Sequence, residues 1–527
     1  MSRSNLRVEL MRNRLFKKSI GAAGLFTALL LSPILGCTDL SEHPTSSITP
    51  DQFYRNENEI VGGLASVYAI MQRVVQNPYN LSEITTDEMV VPTRGQDWYD
   101  NGKWLDMHRQ TFTPNSAATA DNVNSAWNDL FQGVARANVV LNATSSLSFT
   151  SKTVVTAELR ALRAYYYFLL QDLFGGVPIV TDVEVKPRPQ NTRAEVFAFI
   201  ETELNAARAD LPATWDATMN GRLTKGAADA ILASLYLNAR VFGGSVTATG
   251  LTPGPVKWTE AIAACDRIIN SGNYSLATNW RSNFTADNYN SPEIIMSAKF
   301  LNQDGLGLDF LMRALHYNQY TPSPWNGFST IAETFNAFNA NDTRRQIFLA
   351  GQAYNIETGL PVKDRAGNPL IFDPNIADVT AAPENAGVRI TKWPNDPNHV
   401  AQNNGNDYAT FRLAEIYLIK AEAMNELGQT AQAVALVNST TRARAYAGGT
   451  PNPMVASTQQ EFRDAIMLER LFELTAEGKR RQDLIRMGRF TSGVWSFKAV
   501  SPPYKILMPI PQSQIDNNPM LVQNPGY

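Results

Sequence analysis

TAELRALRAYYYFLLQDLFGGVPIV, residues Thr156 to Val180, is the stretch whose reading decides the fold. Leu159, Leu162, Tyr166, Leu169, Leu170 and Leu173 recur at steps of three and four, so they fall on one side of a helix. Ala161, Ala164 and the aromatic run Tyr165, Tyr166, Tyr167 and Phe168 widen that side until little of the circumference is polar. This predicts a helix packed by neighbours on several sides, with alanines where helices approach and aromatics reaching between them. Gly175 and Gly176 supply the backbone freedom that ends it, and Pro178 prevents its resumption, leaving a short extended tail to Val180.

The same pattern recurs on both sides. Helices are expected from about Glu57 to Gln76, Asn122 to Leu141, Arg193 to Leu211, Arg222 to Ala239, Trp258 to Ser271, Phe411 to Leu427 and Thr430 to Arg444. LASLYLNARVF with WTEAIAACDRII, and RLAEIYLIKAEAMNELG with TAQAVALVNSTTRARA, read as the two helices of tetratricopeptide-like units, the first pair split by a glycine-rich insertion. About four degenerate units of this kind would give a mainly α array with one long face. Helical order lapses between 272 and 406, a region rich in Asn, Pro, Gly and aromatics with alternations such as EIIMSAKF that predict short strands. It is too long for one loop and is expected to form an irregular subdomain packed on the helices. The chain thus divides into a helical array at 57–271, the irregular part at 272–406, and helical repeats, a charged helix and an extended tail at 407–527. In the charged helix, Glu469, Arg470, Glu473, Glu477, Arg480, Arg481, Asp483 and Arg486 are spaced to pair along helices or across the break at Gly478.

The first forty residues are a separate object. Arg3, Arg7, Arg12, Arg14, Lys17 and Lys18 precede an apolar run from Ile20 to Leu35, the arrangement of an export signal. Ile34-Leu35-Gly36-Cys37 looks like a lipobox, which makes 1–36 a lipoprotein signal peptide and Cys37 the acylated start of a polar tether over 37–56. Removing 1–36 takes six basic residues and one acidic one from totals of 46 and 49, leaving a formal charge of −8. With no concentrated basic patch, that balance argues against a nucleic-acid partner. Cys265 is then the single cysteine of the body and is expected to be a buried thiol.

Two aromatic clusters lie outside the helical pattern. TTDEMVVPTRGQDWYDNGKWLDMHRQTFTP gathers Trp98, Tyr99 and Trp104 beside Asp97, Asp100, Asn101 and Lys103. Flat rings flanked by amides and carboxylates suit sugars, which offer C–H faces for stacking and hydroxyls for hydrogen bonds. Tyr317, Tyr320 and Trp325, with Asn318 and Gln319, form a second cluster, placed to face the first across a carbohydrate cleft. Hydrolysis has little support. Asp87 with Glu88 and Asp97 with Asp100 are close in sequence, but no nucleophile motif accompanies them, and His43, His108, His316 and His399 are too scattered for a metal set.

Taken together, the acylation signal at Cys37, LRALRAYYYFLLQDLFGGVPIV, RLAEIYLIKAEAMNELG, ERLFELTAEGKRRQDLIRMG and the ending ILMPIPQSQIDNNPMLVQNPGY resemble the SusD/RagB family of outer-membrane nutrient-binding lipoproteins. Arg481 departs from the family pattern, where tryptophan is common. The resemblance implies a SusD-like fold and no catalysis or cofactor. It also implies a TonB-dependent outer-membrane transporter as partner, over which the protein acts as a lid. In the starch-binding member an aromatic arc holds glycan; Trp98, Asn101 and Trp104 are similar in place and chemistry, with Tyr317, Tyr320 or Trp325 opposite. The ligand is therefore expected to be an oligosaccharide or polysaccharide fragment, with peptide uptake as the alternative and a secreted glycoside hydrolase a distant third.

Overall fold

The computed structural model describes residues 53–446 and 448–527. The signal peptide, Cys37 and most of the tether lie outside those residues. The principal helices are α1 (Glu57–Tyr68), α2 (Asn124–Ser146), α3 (Lys152–Phe174), α4 (Arg193–Asp210), α5 (Lys225–Leu237), α6 (Trp258–Ile269), α7 (Leu413–Glu426), α8 (Thr430–Ser439), α9 (Gln459–Leu474) and α10 (Arg480–Arg486). They pack in succession, α2 on α3, α3 on α4, α4 on α5, α5 on α6, α6 on α7, and α7 on both α8 and α9. None of the described helices is long and apolar enough to cross a membrane.

Helix α3 is buried on almost its whole circumference, touching α1, α2, α4 and α5. Its tyrosines act as clamps as well as filling. The ring of Tyr166 lies so close to α2 that a Cβ on Gly133 would sit 2.5 Å from it, and its hydroxyl donates to the Val67 carbonyl (2.6 Å). The Tyr167 hydroxyl accepts from the Val180 N–H (2.7 Å) and donates to the Pro178 carbonyl (3.2 Å), so the helix holds its own exit tail. Gly175, at φ 77°, makes the turn. Helices α4 and α9 begin with complete capping boxes, Thr192 with Glu195 and Thr458 with Glu461.

Three expected helices are shorter or broken. The first stops at Tyr68 and resumes over Ile70–Val74. The segment from Thr430 is interrupted at Thr440. Phe411 and Arg412 belong to a strand: Tyr408–Arg412, buried throughout, pairs antiparallel with Ile294–Ala298, and α7 starts only after it. Backbone pairing with a distant segment overrides the local helical pattern there. That pairing also stitches the irregular region to the repeats. Cys265 is buried, and desolvation pushes its thiol well up.

The charged helix pairs less with itself than expected. Glu473 Oε1 accepts from Arg412, from Arg444 (2.6 Å) and from Trp280 Nε1 (2.9 Å), while Oε2 accepts from Arg344 (2.9 Å). Glu477 takes Lys392 and Arg412, and Glu469 takes Arg344 and Arg442. Burial alone would push Glu473 up, but Arg444, Arg412 and Arg344 together hold it far below the usual carboxylate range. Glu473→Gln keeps one acceptor oxygen but removes the charge that three buried guanidiniums share and turns an amide N–H toward them, and should cost about 3–5 kcal/mol. A clearly lowered urea midpoint is the expected readout; an unchanged midpoint would show that the network contributes nothing.

Candidate functional site

The two aromatic segments are brought into contact. Val90 and Ser329 form an antiparallel bridge, and from it the chain runs out to Trp98 on one side and back to Trp325 on the other. Trp98 Nε1 donates to the Trp325 carbonyl (2.6 Å), and the Tyr317 hydroxyl donates to Asp97. Trp98 also meets Trp104 and Phe328 edge to face, at 5.3 and 5.6 Å between centroids. Gly327 is required beneath it, because a Cβ there would lie 2.3 Å from the indole.

Left-handed backbone is concentrated here. Trp98 (φ 63°), Asp100 (φ 39°) and Asn101 (φ 55°) precede Gly102, and Asn326 (φ 51°) stands across from them. For a bulky side chain such as Trp98 this conformation persists only where the surroundings over-determine it. Two buried arginines supply part of that constraint. Arg94 donates to the carbonyls of Gly327 (3.3 Å) and Ala386 (2.6 Å), and Arg389 to those of Glu384 (2.8 Å), Ala386 (2.8 Å) and Gly387 (2.6 Å) and to Asn326 Oδ1 (2.7 Å). Burial lowers Arg94 to about 10, which leaves it charged at neutral pH.

A polar rim adjoins the rings. The Arg365 guanidinium lies 4.2 Å from the Tyr317 ring centroid and pairs with Glu384. Burial opposes the charge on Glu384, but the Arg365 N–H (3.0 Å), His316 Nε2 (2.9 Å) and the guanidinium outweigh it and bring the carboxyl down to about 2. Burial also lowers His316, so its imidazole is neutral near pH 7; Nδ1 accepts from the Asn318 N–H and Nε2 donates to Glu384. Burial, with the bond to Asp97, pushes Tyr317 up to about 12 and keeps it a donor.

The expected contact residues divide by exposure. Tyr99 (59% exposed), Asn101 and Trp325 (36%) present themselves to solvent, and Trp98 and Tyr317 are half-buried. Trp104 and Tyr320 depart from the expectation of direct contact. Trp104 is buried, donates Nε1 to Asp100 (2.7 Å) and is covered by Lys103 at 4.6 Å from its centroid. Tyr320 is buried against His399, with ring centroids 4.7 Å apart. Both stand behind the surface. Arg365 and Glu384 were not foreseen, since neither belongs to an aromatic or periodic pattern. The acids considered for hydrolysis are engaged elsewhere: Asp87 holds Arg480 through two 2.7 Å bonds, and Glu88 is buried with its carboxyl pushed well up by desolvation and by Glu83. Among the described residues no group of His, Cys, Asp or Glu is arranged to hold a metal.

The helical repeats thus carry an aromatic surface with Tyr99 and Trp325 open to solvent. Residues 265–527 match the SusD family model, and 42–237 match a model described as starch-binding and associating with the outer membrane. SusD-like protein P25 of Formosa agariphila is 26% identical over 546 residues, spanning 93% of this chain and 96% of its own length. Starch-binding protein SusD of Bacteroides thetaiotaomicron is 27% identical over 506 residues, 85% of each chain. A laminarin binding SusD-like protein of known structure superposes with a TM-score of 0.69 at 24% identity, over 90% of this chain and 100% of that one. The chain belongs to the SusD/RagB family, and as a member it binds rather than catalyses.

Gly327→Ala should drive Trp98 off its seat and cost about 1–3 kcal/mol as an overpacking change. A shifted tryptophan emission maximum with a lowered melting temperature is the expected result; an unaltered spectrum would mean that the close approach does not fix the ring.

Proposed function

We propose that the protein is a cell-surface lipoprotein, anchored to the outer membrane through Cys37, that captures an oligosaccharide on the surface formed by Trp98, Tyr99, Asn101, Tyr317 and Trp325. It then delivers the sugar to a TonB-dependent transporter, over which it sits as a lid. The observation that carries the reading is the joining of the two aromatic segments by the Trp98–Trp325 bond, which leaves Tyr99 and Trp325 open to solvent beside the Arg365 and Glu384 rim. Open rings stack on sugar faces, and the charged and amide groups around them reach hydroxyls. Two of the relatives are described by their glycans, starch in one case and laminarin in the other, which supports a glycan as the ligand class.

Titration of a panel containing malto- and laminari-oligosaccharides against the soluble body tests the site. Trp325→Ala and Tyr99→Ala should each weaken binding about tenfold, the scale of one lost stacking contact plus its apolar area; the melting temperature should stay unchanged in Tyr99→Ala and fall slightly in Trp325→Ala, whose ring is the more covered. Unchanged affinity in both variants would remove the site from this surface, and binding of peptides alone would replace the glycan. For the anchor, Cys37→Ser should abolish incorporation of labelled fatty acid in the native host; retained labelling would reject acylation at that residue.

A further inference from the structure

A second aromatic cleft lies between the loop that joins α4 to α5 and the segment 273–297. It has a volume of about 260 Å³, and Trp215, Tyr274 and Tyr289 line it beside Thr214, Asp216, Arg222 and Asn273. Of the nine tryptophans, Trp215 and Trp325 alone lie outside every apolar cluster among the described residues. Tyr289, 50% exposed, lies outside them too. Trp215 and Tyr289 therefore share with the rings of the first surface a position that core packing does not explain.

These rings are held in place by polar bonds. Trp215 Nε1 donates across its loop to the Leu223 carbonyl (2.9 Å), and the Arg222 guanidinium lies over the indole at 4.1 Å from the ring centroid. Asn220 Nδ2 donates to the Tyr289 carbonyl (2.9 Å), while its Oδ1 accepts from Lys299 Nζ (3.1 Å). Tyr274 and Thr224 join hydroxyl to hydroxyl (2.9 Å), and the fit depends on Gly226, where a Cβ would lie 2.4 Å from the tyrosine oxygen. Rings fixed in advance lose little freedom when a ligand stacks on them. The charges around the cleft are already committed. Arg222 donates through Nε (3.1 Å) and Nη2 to the buried Glu158, Lys299 pairs with Asp407, and Asp216 accepts from the Thr218 N–H (2.9 Å). No unpaired cation is left to draw an anion. The cleft offers aromatic faces together with the exposed side chains of Thr214, Asn273 and Tyr289, which suit the C–H faces and hydroxyls of an uncharged sugar.

From these observations we infer that the cleft is a second saccharide site, which takes one neutral sugar unit, the end or a branch of a glycan, against Trp215 and Tyr289, with Thr214 and Asn273 as partners of its hydroxyls. Its volume falls below the roughly 300–1,000 Å³ of sites for larger ligands, which limits it to a unit of that size. It has no lining residue in common with the surface around Trp98 and Trp325, and its ligand class follows from its own groups. It therefore stands or falls independently of the function proposed for that surface.

The test is fluorine NMR of the full mature chain, made soluble by Cys37→Ser and labelled with 5-fluorotryptophan, with the Trp215 resonance assigned through Trp215→Phe. The probes are malto- and laminari-oligosaccharides and the methyl glycosides of glucose, galactose, mannose and xylose, with glycerol as the control polyol and a casein digest as the peptide control. At least one saccharide should shift the Trp215 resonance saturably, and it should do so equally in a Tyr99→Ala, Trp325→Ala double variant that lacks the first surface. Tyr289→Ala, at an exposed position, should raise the apparent Kd about tenfold while the remaining tryptophan resonances stay in place as evidence of an intact fold. Asn273→Ala should weaken binding in the same direction and serves as a second variant. A saturable shift that survives in the double variant and weakens in Tyr289→Ala supports the site. No saturable shift with any saccharide, an equal shift with glycerol, a shift with peptides alone, or a shift lost in the double variant overturns it.

Discussion

Glu473 is the point at which this architecture is fastened. It is wholly buried, and its acceptors are taken by guanidiniums from three separate parts of the chain, Arg344, Arg412 and Arg444. Around it the cations Arg344, Lys392, Arg412, Arg442 and Arg444 are balanced one for one by Glu293, Asp342, Glu469, Glu473 and Glu477. A balanced set of this kind adds little net stability over an apolar core of the same volume, but removing any one member strands its partners. It acts as an all-or-none registration device. The irregular region shares the main apolar core through residues such as Trp280, Phe284, Phe338 and Trp393 and is paired to the repeats by a strand, and Arg344, Lys392, Glu293 and Asp342 add a directional set of charges that fixes its register.

That registration reaches the aromatic surface through a short chain of contacts. The turn between α9 and α10 donates its Ala476 N–H to Glu88 (2.9 Å) and its Gly478 N–H to Glu83, while Arg480 grips Asp87. Glu83 to Glu88 lead directly into the segment that bridges to Ser329 and runs on to Trp98. From the other side Lys392, held by Glu477, follows Arg389, which holds the side chain of Asn326, the neighbour of Gly327 beneath Trp98. The charged helix thus supports the aromatic surface from below. Arg481, the departure from the family pattern, extends the same logic to α3 through Asp172.

What could be read from the sequence was what repeats locally. The 3.6-residue pattern of α3 to α8 is written in neighbouring residues, and so is the glycine stop at Gly175. The aromatic segments stood out because rings so close to carboxylates and amides are unusual in a core. The partners of Glu473 were illegible, because Arg344, Arg412 and Arg444 come together only when three distant segments fold. Trp104 misled for a related reason. The polar neighbours that suggested exposure, Asp100 and Lys103, wrap the indole and bury it. Arg365 and Glu384 carry no local pattern, and their role exists only in the pairing with Tyr317 and His316.

The strain at the aromatic surface is what the proposed sugar ligand would require. A sugar ring gains little from each stacking or hydroxyl contact, on the order of 1 kcal/mol. Immobilising a free side chain at an interface costs about 0.5–1.5 kcal/mol, enough to cancel that gain. A weak binder must therefore fix its rings before ligand arrives. Trp98 is fixed by its bond to the Trp325 carbonyl and by the missing Cβ of Gly327, and Tyr317 by Asp97 and the overlying Arg365. The left-handed turns at Trp98, Asp100, Asn101 and Asn326 aim these groups, with Arg94 holding the Gly327 carbonyl and Arg389 the Asn326 side-chain oxygen. A helix face could not carry this arrangement, because its side chains follow a fixed pitch. An irregular region can, provided that something outside it fixes its register, and that is the service the buried charges around Glu473 perform.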